Sequence, residues 1–501
     1  MKTGKYILSL DQGTTSSRAI VFNTLGGIVG ISQKEFTQIY PKPGYVEHDP
    51  VEILETQLYA MRQAVQEAGI SYEDIAAIGI TNQRETVVAW DKVSGIPVCN
   101  AIVWQCRRTA EICEQLKNKG LEEYIKKTTG LLIDPYFSGT KMKWMLENVP
   151  EVKKLSDEKR LCFGTVDTWL IYSLTEGKTF VTDVSNASRT MLFDINNLKW
   201  DETLLNEMGV DIDSLPKVVS SSEVVGMASA EVFGREIPIA GIAGDQHAAL
   251  FGQCCFEEGM AKNTYGTGCF VLMNTGDKPV LSKKGLITTI GWKIGDKVIY
   301  ALEGSAFNAG SAIKWLRDEL RLIESPQECD ALAETVPDTL GAMFVPAFTG
   351  LGAPYWDMYA RGSILGITRG TTKAHICRAV LESIACESYD LFDAMGEDSG
   401  VKLKELRVDG GASRSRFLMQ CQANLINRKV LRPMCLETTA LGAAMLAGLA
   451  TGVWENTEEL KAIWKVNTTF EPDGDIENSE NIIWKWHKAV NRSMGWAKTE
   501  N

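Results

Sequence analysis

Apolar and polar positions alternate between two patterns along this chain. Tyr6-Ile7-Leu8-Ser9-Leu10 and Arg18-Ala19-Ile20-Val21-Phe22 are apolar runs around the polar turn Asp11 to Ser17, and they predict a strand–turn–strand hairpin. Asp49-Pro50-Val51-Glu52 has a cap, a proline in the first turn and a glutamate three residues on, so it predicts a helix start. Val51, Leu54, Leu58, Met61 and Val65 then follow at helical spacing, and Gly69 closes the segment. The unbroken apolar run Ile75 to Ile80 predicts a buried parallel strand, with Thr81-Asn82-Gln83-Arg84-Glu85 at its end. Ile237 to Ala243 repeats the pattern, ending in Gly244-Asp245-Gln246 before an apolar helix from Ala248 to Phe251. Leu406-Arg407-Val408 repeats it again, ending in Asp409-Gly410-Gly411-Ala412-Ser413 before a helix through Phe417, Leu418 and Cys421. Lys262 to Met273 predicts a second hairpin with glycines and hydroxyls in its turn.

Each half thus carries one such hairpin. The expected fold is α/β, with two similar domains facing each other across a cleft, 1–252 and 253–501. In open α/β sheets, ligands gather at the carboxyl ends of strands, where the polar clusters lie. Thr439 to Trp454 is too short and too rich in small residues to span a membrane, and reads as a tightly packed internal helix. The tail beyond Asn467 is polar and is expected to be peripheral.

Composition narrows the partners. The 501 residues are 45% hydrophobic and 23% charged, as in a globular protein with sizeable cores. The net charge of -12 argues against nucleic-acid binding, which needs a basic surface, but not against a small anion held by local donors. The 12 cysteines form no C-x-x-C pair and only four histidines accompany them, so no zinc site is expected; buried thiols in a reducing, cytoplasmic setting are. Asn186-Ala187-Ser188 matches a glycosylation sequon, but no secretory leader is expected, so the match is read as chance.

The chemistry concentrates at the first turn. Gly13 permits unusual backbone conformations, and hydroxyls and amides can converge there on an anion. Asp11, ending a buried strand, is placed to hold a metal through oxygen. An ordinary polar hairpin fits the same residues. No G-x-x-x-x-G-K-[ST] loop occurs, and no G-x-G-x-x-G follows a strand, which disfavours a Walker-type ATPase and a dinucleotide site.

Several further runs sharpen the picture: DQGTTSSRA from Asp11, EHDP from Glu47, GITNQRETVVAW from Gly79, NAIVWQCRRTAEIC from Asn100, DPYFSGTK from Asp134, FGTVDTWLIY from Phe163, NASRTMLF from Asn186, GIAGDQHAALFGQ from Gly241, NTYGTGCF from Asn263, VPAFTGLGAPYWD from Val345 and VDGGASRS from Val408. Together and in order, these resemble the FGGY carbohydrate kinases of the actin-like ATPase superfamily, in particular those that phosphorylate glycerol. The resemblance implies two actin-like (ribonuclease H-like) domains around a nucleotide cleft. It implies transfer of phosphate from ATP to glycerol, giving sn-glycerol 3-phosphate, with Mg2+, in a homo-oligomer such as a dimer or tetramer.

Residue by residue, the resemblance gives ATP contacts to Thr14, Thr15, Ser16 and Arg18 from the first domain and to Thr267, Gly310, Lys314, Gly411 and Ser415 from the second. It gives Mg2+ to Asp11 and Asp245. Glycerol falls to Arg84, Glu85, Trp104, Tyr136, Asp245, Gln246 and Phe270, with Asp245 as general base. Carboxylates would accept the hydroxyl protons of a triol, and Arg84 would donate to its oxygens. Lys314 stands where many members have Gln, and Ser415 where others have Asn. The region of a regulatory histidine in some bacterial relatives reads Ala230-Glu231-Val232-Phe233-Gly234 here, so phosphocarrier control is not expected. Another polyol or ketose as acceptor, or an actin-like filament with no acceptor, are the alternatives.

Overall fold

The computed structural model describes residues 5–498. Two sheets organise it. The first runs in the order Ser222–Ala228, Ile237–Gly244, Ile75–Asn82, Tyr6–Gln12, Ser16–Asn23, Ile28–Glu35. The second runs Ile287–Ile294, Lys297–Ala306, Cys269–Gly276, Met260–Tyr265, Glu405–Asp409, Val430–Pro433, Val466–Phe470. Each has a run of antiparallel strands (three in the first sheet, four in the second), then two parallel strands, then an antiparallel edge strand. The duplication expected from the two polar hairpins is therefore present as repeated topology.

The predicted strands form because they are buried on both faces. Seven of the eight residues of Ile75–Asn82 are buried, as are seven of the eight of Ile237–Gly244. The helix Pro50–Glu67 is capped by Asp49, whose carboxylate accepts from the Val51 amide at 2.8 Å. Its buried face is Ile53, Thr56, Gln57, Ala60, Met61, Ala64 and Val65, rotated from the expected stripe so that Val51 is exposed. Helical spacing alone left two neighbouring faces open, and the sheet selected one.

The internal helix Thr438–Ala450 lies in the second half of the chain yet packs on the first sheet, against Ile7, Ile20, Phe22, Ala77 and Ala240. Its small residues allow the approach. A Cβ on Gly79 would stand 2.2 Å from the Ala443 carbonyl oxygen, and one on Gly442 1.8 Å from that of Ala248. The two halves are thus joined through this helix.

Two expectations are corrected. The tail beyond Asn467 is not peripheral. Val466–Phe470 is a strand of the second sheet, and Ile476–Ser493 buries Trp486, Ala489 and Val490 in its core. Trp486 donates to Asp390 at 2.6 Å. Trp486, Ala489 and Val490 share one buried helix face, while Ile476 and Trp484 of the same helix stay exposed. Gly13 is not among the residues with positive φ; a Cβ there would stand 3.2 Å from the Ser16 carbonyl, so it serves a tight turn instead. The sequon residue Asn186 is fully buried and hydrogen-bonds Asn82 in both directions, at 3.0 and 3.1 Å. No sugar could be attached there in the folded chain.

Asp167 gives a stability prediction. It is fully buried, accepts hydrogen bonds from Thr165 (2.5 Å) and Thr182 (2.7 Å), and burial pushes its pKa up to about 7. In the unfolded chain it ionises near ~4. Between these values only the unfolded state loses the proton, so this group's contribution to stability is full below pH ~4 and declines as pH rises to ~7. Asp167→Asn is expected to remove that decline, whose slope is at most ~1.4 kcal/mol for each step of one in pH. Denaturant unfolding at pH ~5 and pH ~8 checks it, with equal pH slopes in both proteins as the contrary result.

Candidate active site

The polar ends of the first sheet's parallel strands converge. Asp11 and Ala243 both stand beside Thr81, one on either side of the central strand, and Arg84, Glu85 and Asp245 lie just beyond the strand ends. Arg84 is only 3% exposed. Its Nε lies 2.9 Å from Asp245 Oδ1, its Nη1 donates to Glu303 Oε2 at 2.5 Å, and its Nη2 donates to Glu303 Oε1 at 3.2 Å and Tyr136 at 3.5 Å. Burial disfavours the charge of Arg84, but the surrounding carboxylates raise its pKa well above the usual value. It stays a cation.

Glu85 follows in a sharp turn with φ of 61°, closed by Thr86 N–H donating to the Arg84 carbonyl at 2.8 Å. A side chain in this left-handed region costs ~1–3 kcal/mol and persists only when its surroundings fix it. Here Arg189 Nε donates to Glu85 Oε1 at 2.5 Å, and the Ser138 hydroxyl donates to the Glu85 carbonyl at 3.1 Å. The result aims Glu85 sideways from the strand, next to Arg84.

The aromatic wall is also present. Trp104 and Tyr136 stand edge to face, with ring centroids 5.5 Å apart, and Trp104 Nε1 donates to Thr14 Oγ1 at 2.9 Å. Lys141, buried, donates to the carbonyls of Pro135 (2.8 Å), Tyr136 (2.5 Å) and Phe137 (3.0 Å) and so pins the Tyr136 loop. Gln246 accepts from buried Lys262, which also donates to Thr264 (3.0 Å) and the Phe270 carbonyl (3.1 Å). Burial brings the Lys262 pKa down to about 8. Arg84, Glu85, Trp104, Tyr136 and Asp245 thus belong to one contact network, and Gln246 and Phe270 are joined to each other through Lys262.

Asp245 opens the helix Asp245–Gly252. Its Oδ1 accepts from the Gln246 amide at 2.7 Å, and about a third of its side chain remains open to solvent. Burial raises its pKa, while Arg84 pulls it down. Among the described residues, Asp245 Oδ2 and Glu85 Oε2 have no hydrogen-bond partner.

The residues that the family resemblance assigns to ATP are arranged less simply. Thr15 is exposed, and Ser16 Oγ accepts from Gln33 at 2.9 Å. Arg18 lies between Asp11 and Glu437, with ion pairs of 2.5 Å to each, and the Asp11 charge keeps its pKa raised. In the second half, Thr267 is exposed in its turn and its carbonyl accepts from the Ala309 and Ser311 amides at 2.8 and 3.1 Å. Gly310 needs no ligand to explain it, since a Cβ would lie 2.6 Å from the Gly266 carbonyl. Gly411 faces open space, whereas its neighbour Gly410 has φ of 83°. Lys314 is exposed on the helix Gly310–Asp318. Ser415 caps the helix Arg416–Ile426 and donates to Asp330 at 2.6 Å, so its hydroxyl is already engaged.

Sequence reasoning missed Glu303, Arg189, Lys262 and Lys141. Glu303 breaks the run Tyr300-Ala301-Leu302-Glu303-Gly304, and that break in pattern was the available signal, whereas Arg189, Lys262 and Lys141 sit among polar neighbours with no such signal.

Family models agree with this architecture: the N-terminal domain of the FGGY family of carbohydrate kinases matches residues 6–252, and its C-terminal domain matches 261–451. The chain belongs to the FGGY carbohydrate kinases. Relatives of this FGGY kinase include glycerol kinase 2 of Thermotoga maritima, 59% identical over 494 residues and covering 99% of this chain and 100% of that protein. Glycerol kinase 1 of Clostridium tetani is 58% identical over 496 residues, with the same coverage. Among solved structures, Plasmodium falciparum glycerol kinase with ADP aligns with a TM-score of 0.93 at 40% identity, covering 97% of this chain and 98% of that one. A gluconate kinase from Lactobacillus acidophilus shares the fold, with a TM-score of 0.87 at 24% identity. Among the described residues, no helix of the FGGY kinase is long and apolar enough to cross a membrane.

Proposed function

We propose that this FGGY kinase transfers the γ-phosphoryl group of ATP to glycerol, giving sn-glycerol 3-phosphate and ADP. One observation carries the reading: Arg84, Glu85, Tyr136, Trp104 and Asp245 meet at the strand ends, forming a polar site under an aromatic wall. A triol fits such a site, because it presents a hydroxyl at each carbon and little apolar surface. The Thermotoga maritima and Clostridium tetani relatives, each covered over its full length, are glycerol kinases.

In this reading Arg84 donates to a glycerol oxygen, and Glu85 and Asp245 accept hydroxyl protons through their free oxygens. Trp104, Tyr136 and Phe270 cover the carbons, and Gln246 adds an amide. Asp245 takes the proton of the attacking hydroxyl as its oxygen bonds to the γ-phosphorus and the bond to the β-phosphate oxygen breaks. Positioning and charge stabilisation supply most of the catalysis in such a transfer. Thr14, Thr15, Ser16 and Arg18 receive phosphates from one side, and Thr267, Gly310 and Gly411 line the nucleotide from the other, with Lys314 and Ser415 on the adenine side. Asp11 and Asp245 suit Mg2+: both offer hard carboxylate oxygens, and one oxygen of each lacks a protein partner among the described residues. When bound there, the ion would neutralise charge on the phosphates.

ATP turnover is expected to require an acceptor and to be fastest with glycerol. An acceptor lacking one hydroxyl leaves a charged group unpaired, at a cost of ~1–3 kcal/mol. Propane-1,2-diol and propane-1,3-diol should therefore show kcat/KM at least ~10-fold below glycerol. A panel including pentuloses and hexuloses tests this. Preference for a ketose, or equal turnover with no acceptor, would remove glycerol from the assignment.

A further inference from the structure

Glu303 is fully buried on the strand Lys297–Ala306, in the sheet of the second half, yet both of its ion-pair partners come from the first half. Its Oε2 accepts from Arg84 Nη1 at 2.5 Å, and its Oε1 accepts from Arg84 Nη2 and from Arg189 Nη2, each at 3.2 Å. Arg189, also fully buried, continues the chain to Glu85 at 2.5 Å. The sequence of contacts is Asp245–Arg84–Glu303–Arg189–Glu85, three carboxylates alternating with two guanidinium groups.

We propose that Glu303 is a positioning residue of the acceptor site, which holds both arginines so that Asp245 and Glu85 each keep an oxygen free for a hydroxyl of the acceptor. The inference rests on the reading of Arg84, Glu85 and Asp245 as acceptor-holding groups. The chemistry follows from donor counts. A guanidinium has five N–H donors and pairs with carboxylates through two parallel bonds where it can. Glu303 takes such a forked pair from Arg84 Nη1 and Nη2, and Asp245 faces Nε. It also takes Arg189 Nη2, while Arg189 Nε goes to Glu85 and Arg189 Nη1 has no partner. Without the Glu303 charge, each buried arginine has one remaining carboxylate to turn to. Arg84 would fork onto Asp245 and Arg189 onto Glu85, consuming the oxygens that now have no partner. The acceptor would then meet two saturated ion pairs. Because Glu303 arrives from the opposite sheet, the acceptor site is finished by the half of the chain that carries the second phosphate turn.

The test compares the full-length protein with Glu303→Gln, Glu303→Asp and the charge-balanced Glu303→Gln/Arg189→Gln pair, measuring KM for glycerol and for ATP separately, with thermal unfolding alongside. Misplacing a substrate-holding group by about 1 Å can cost ~10²-fold. Glu303→Gln is expected to raise the glycerol KM at least ~10-fold while the ATP KM moves less than ~3-fold, with Glu303→Asp recovering part of the loss. The double variant answers the question if the single one does not fold, and should show the same selective loss for glycerol. Parallel changes in both KM values, or a glycerol KM within about twofold of the parent, would overturn the proposal. Glu85→Gln serves as the reference: if it too leaves glycerol KM unchanged, the acceptor-site reading itself has failed, whereas a raised KM there with an unchanged one in Glu303→Gln sinks only the role of Glu303.

Discussion

Asp245→Asn is expected to lower kcat for glycerol phosphorylation by ~10²–10⁴-fold, the usual worth of a general base. The substitution keeps the shape of the side chain and an acceptor for the Gln246 amide, which now bonds Oδ1 at 2.7 Å. It removes the negative charge facing Arg84 and the free oxygen that would take the proton. Binding of glycerol should change far less than kcat, because Arg84, Glu85 and the aromatic wall are untouched. Burial raises the Asp245 pKa above the ordinary aspartate value, so activity in the parent should fall as pH drops through a point above that range, and this limb should vanish in the variant. Raising Mg2+ separates the two roles given to this residue. Recovery of kcat at high Mg2+ would assign Asp245 to metal holding alone, and a kcat within a few-fold of the parent would remove it from the chemistry.

Arg84→Ala is expected to reduce kcat/KM for glycerol by ~10²–10³-fold, through both steps at once. The guanidinium reaches Asp245, Glu303 and Tyr136 from a position almost closed to solvent. Its loss takes away the donor to glycerol in the proposed reading and frees Asp245 from its contact with Arg84 Nε. Breaking a buried ion pair by removing one partner costs ~3–5 kcal/mol, so a lower unfolding temperature should accompany the kinetic loss. ATP binding provides the control, since the phosphate turns do not contact Arg84. A folded variant with kcat/KM within tenfold of the parent would exclude Arg84 from the acceptor site.

Much of the architecture follows from local pattern. The hairpins beginning at Tyr6 and Met260, the strands ending near Asn82, Gly244 and Asp409, and the small-residue helix Thr438–Ala450 all form where apolar periodicity places them. Family resemblance then brought Arg84, Glu85, Trp104, Tyr136 and Asp245 into one set, and the fold gathers these five. Periodicity works at this level because it records which residues leave water, and adjacent residues on one strand or helix share that fate.

Other features were decided only by packing between distant segments. The sheet chose which of two neighbouring faces of Pro50–Glu67 to bury, and the second core captured Trp486 from a tail that reads as polar. Arg18 is shared between Asp11, seven residues away, and Glu437, in the other half of the chain. Glu303 lies 219 residues from Arg84 and 114 from Arg189, and in a linear reading it is a lone carboxylate in an apolar strand. A charge removed from water must find an opposite charge nearby, but nothing in its own neighbourhood along the chain says which. The segments' composition fixed that they would be buried, and the meeting of the two sheets fixed which charges would be buried together.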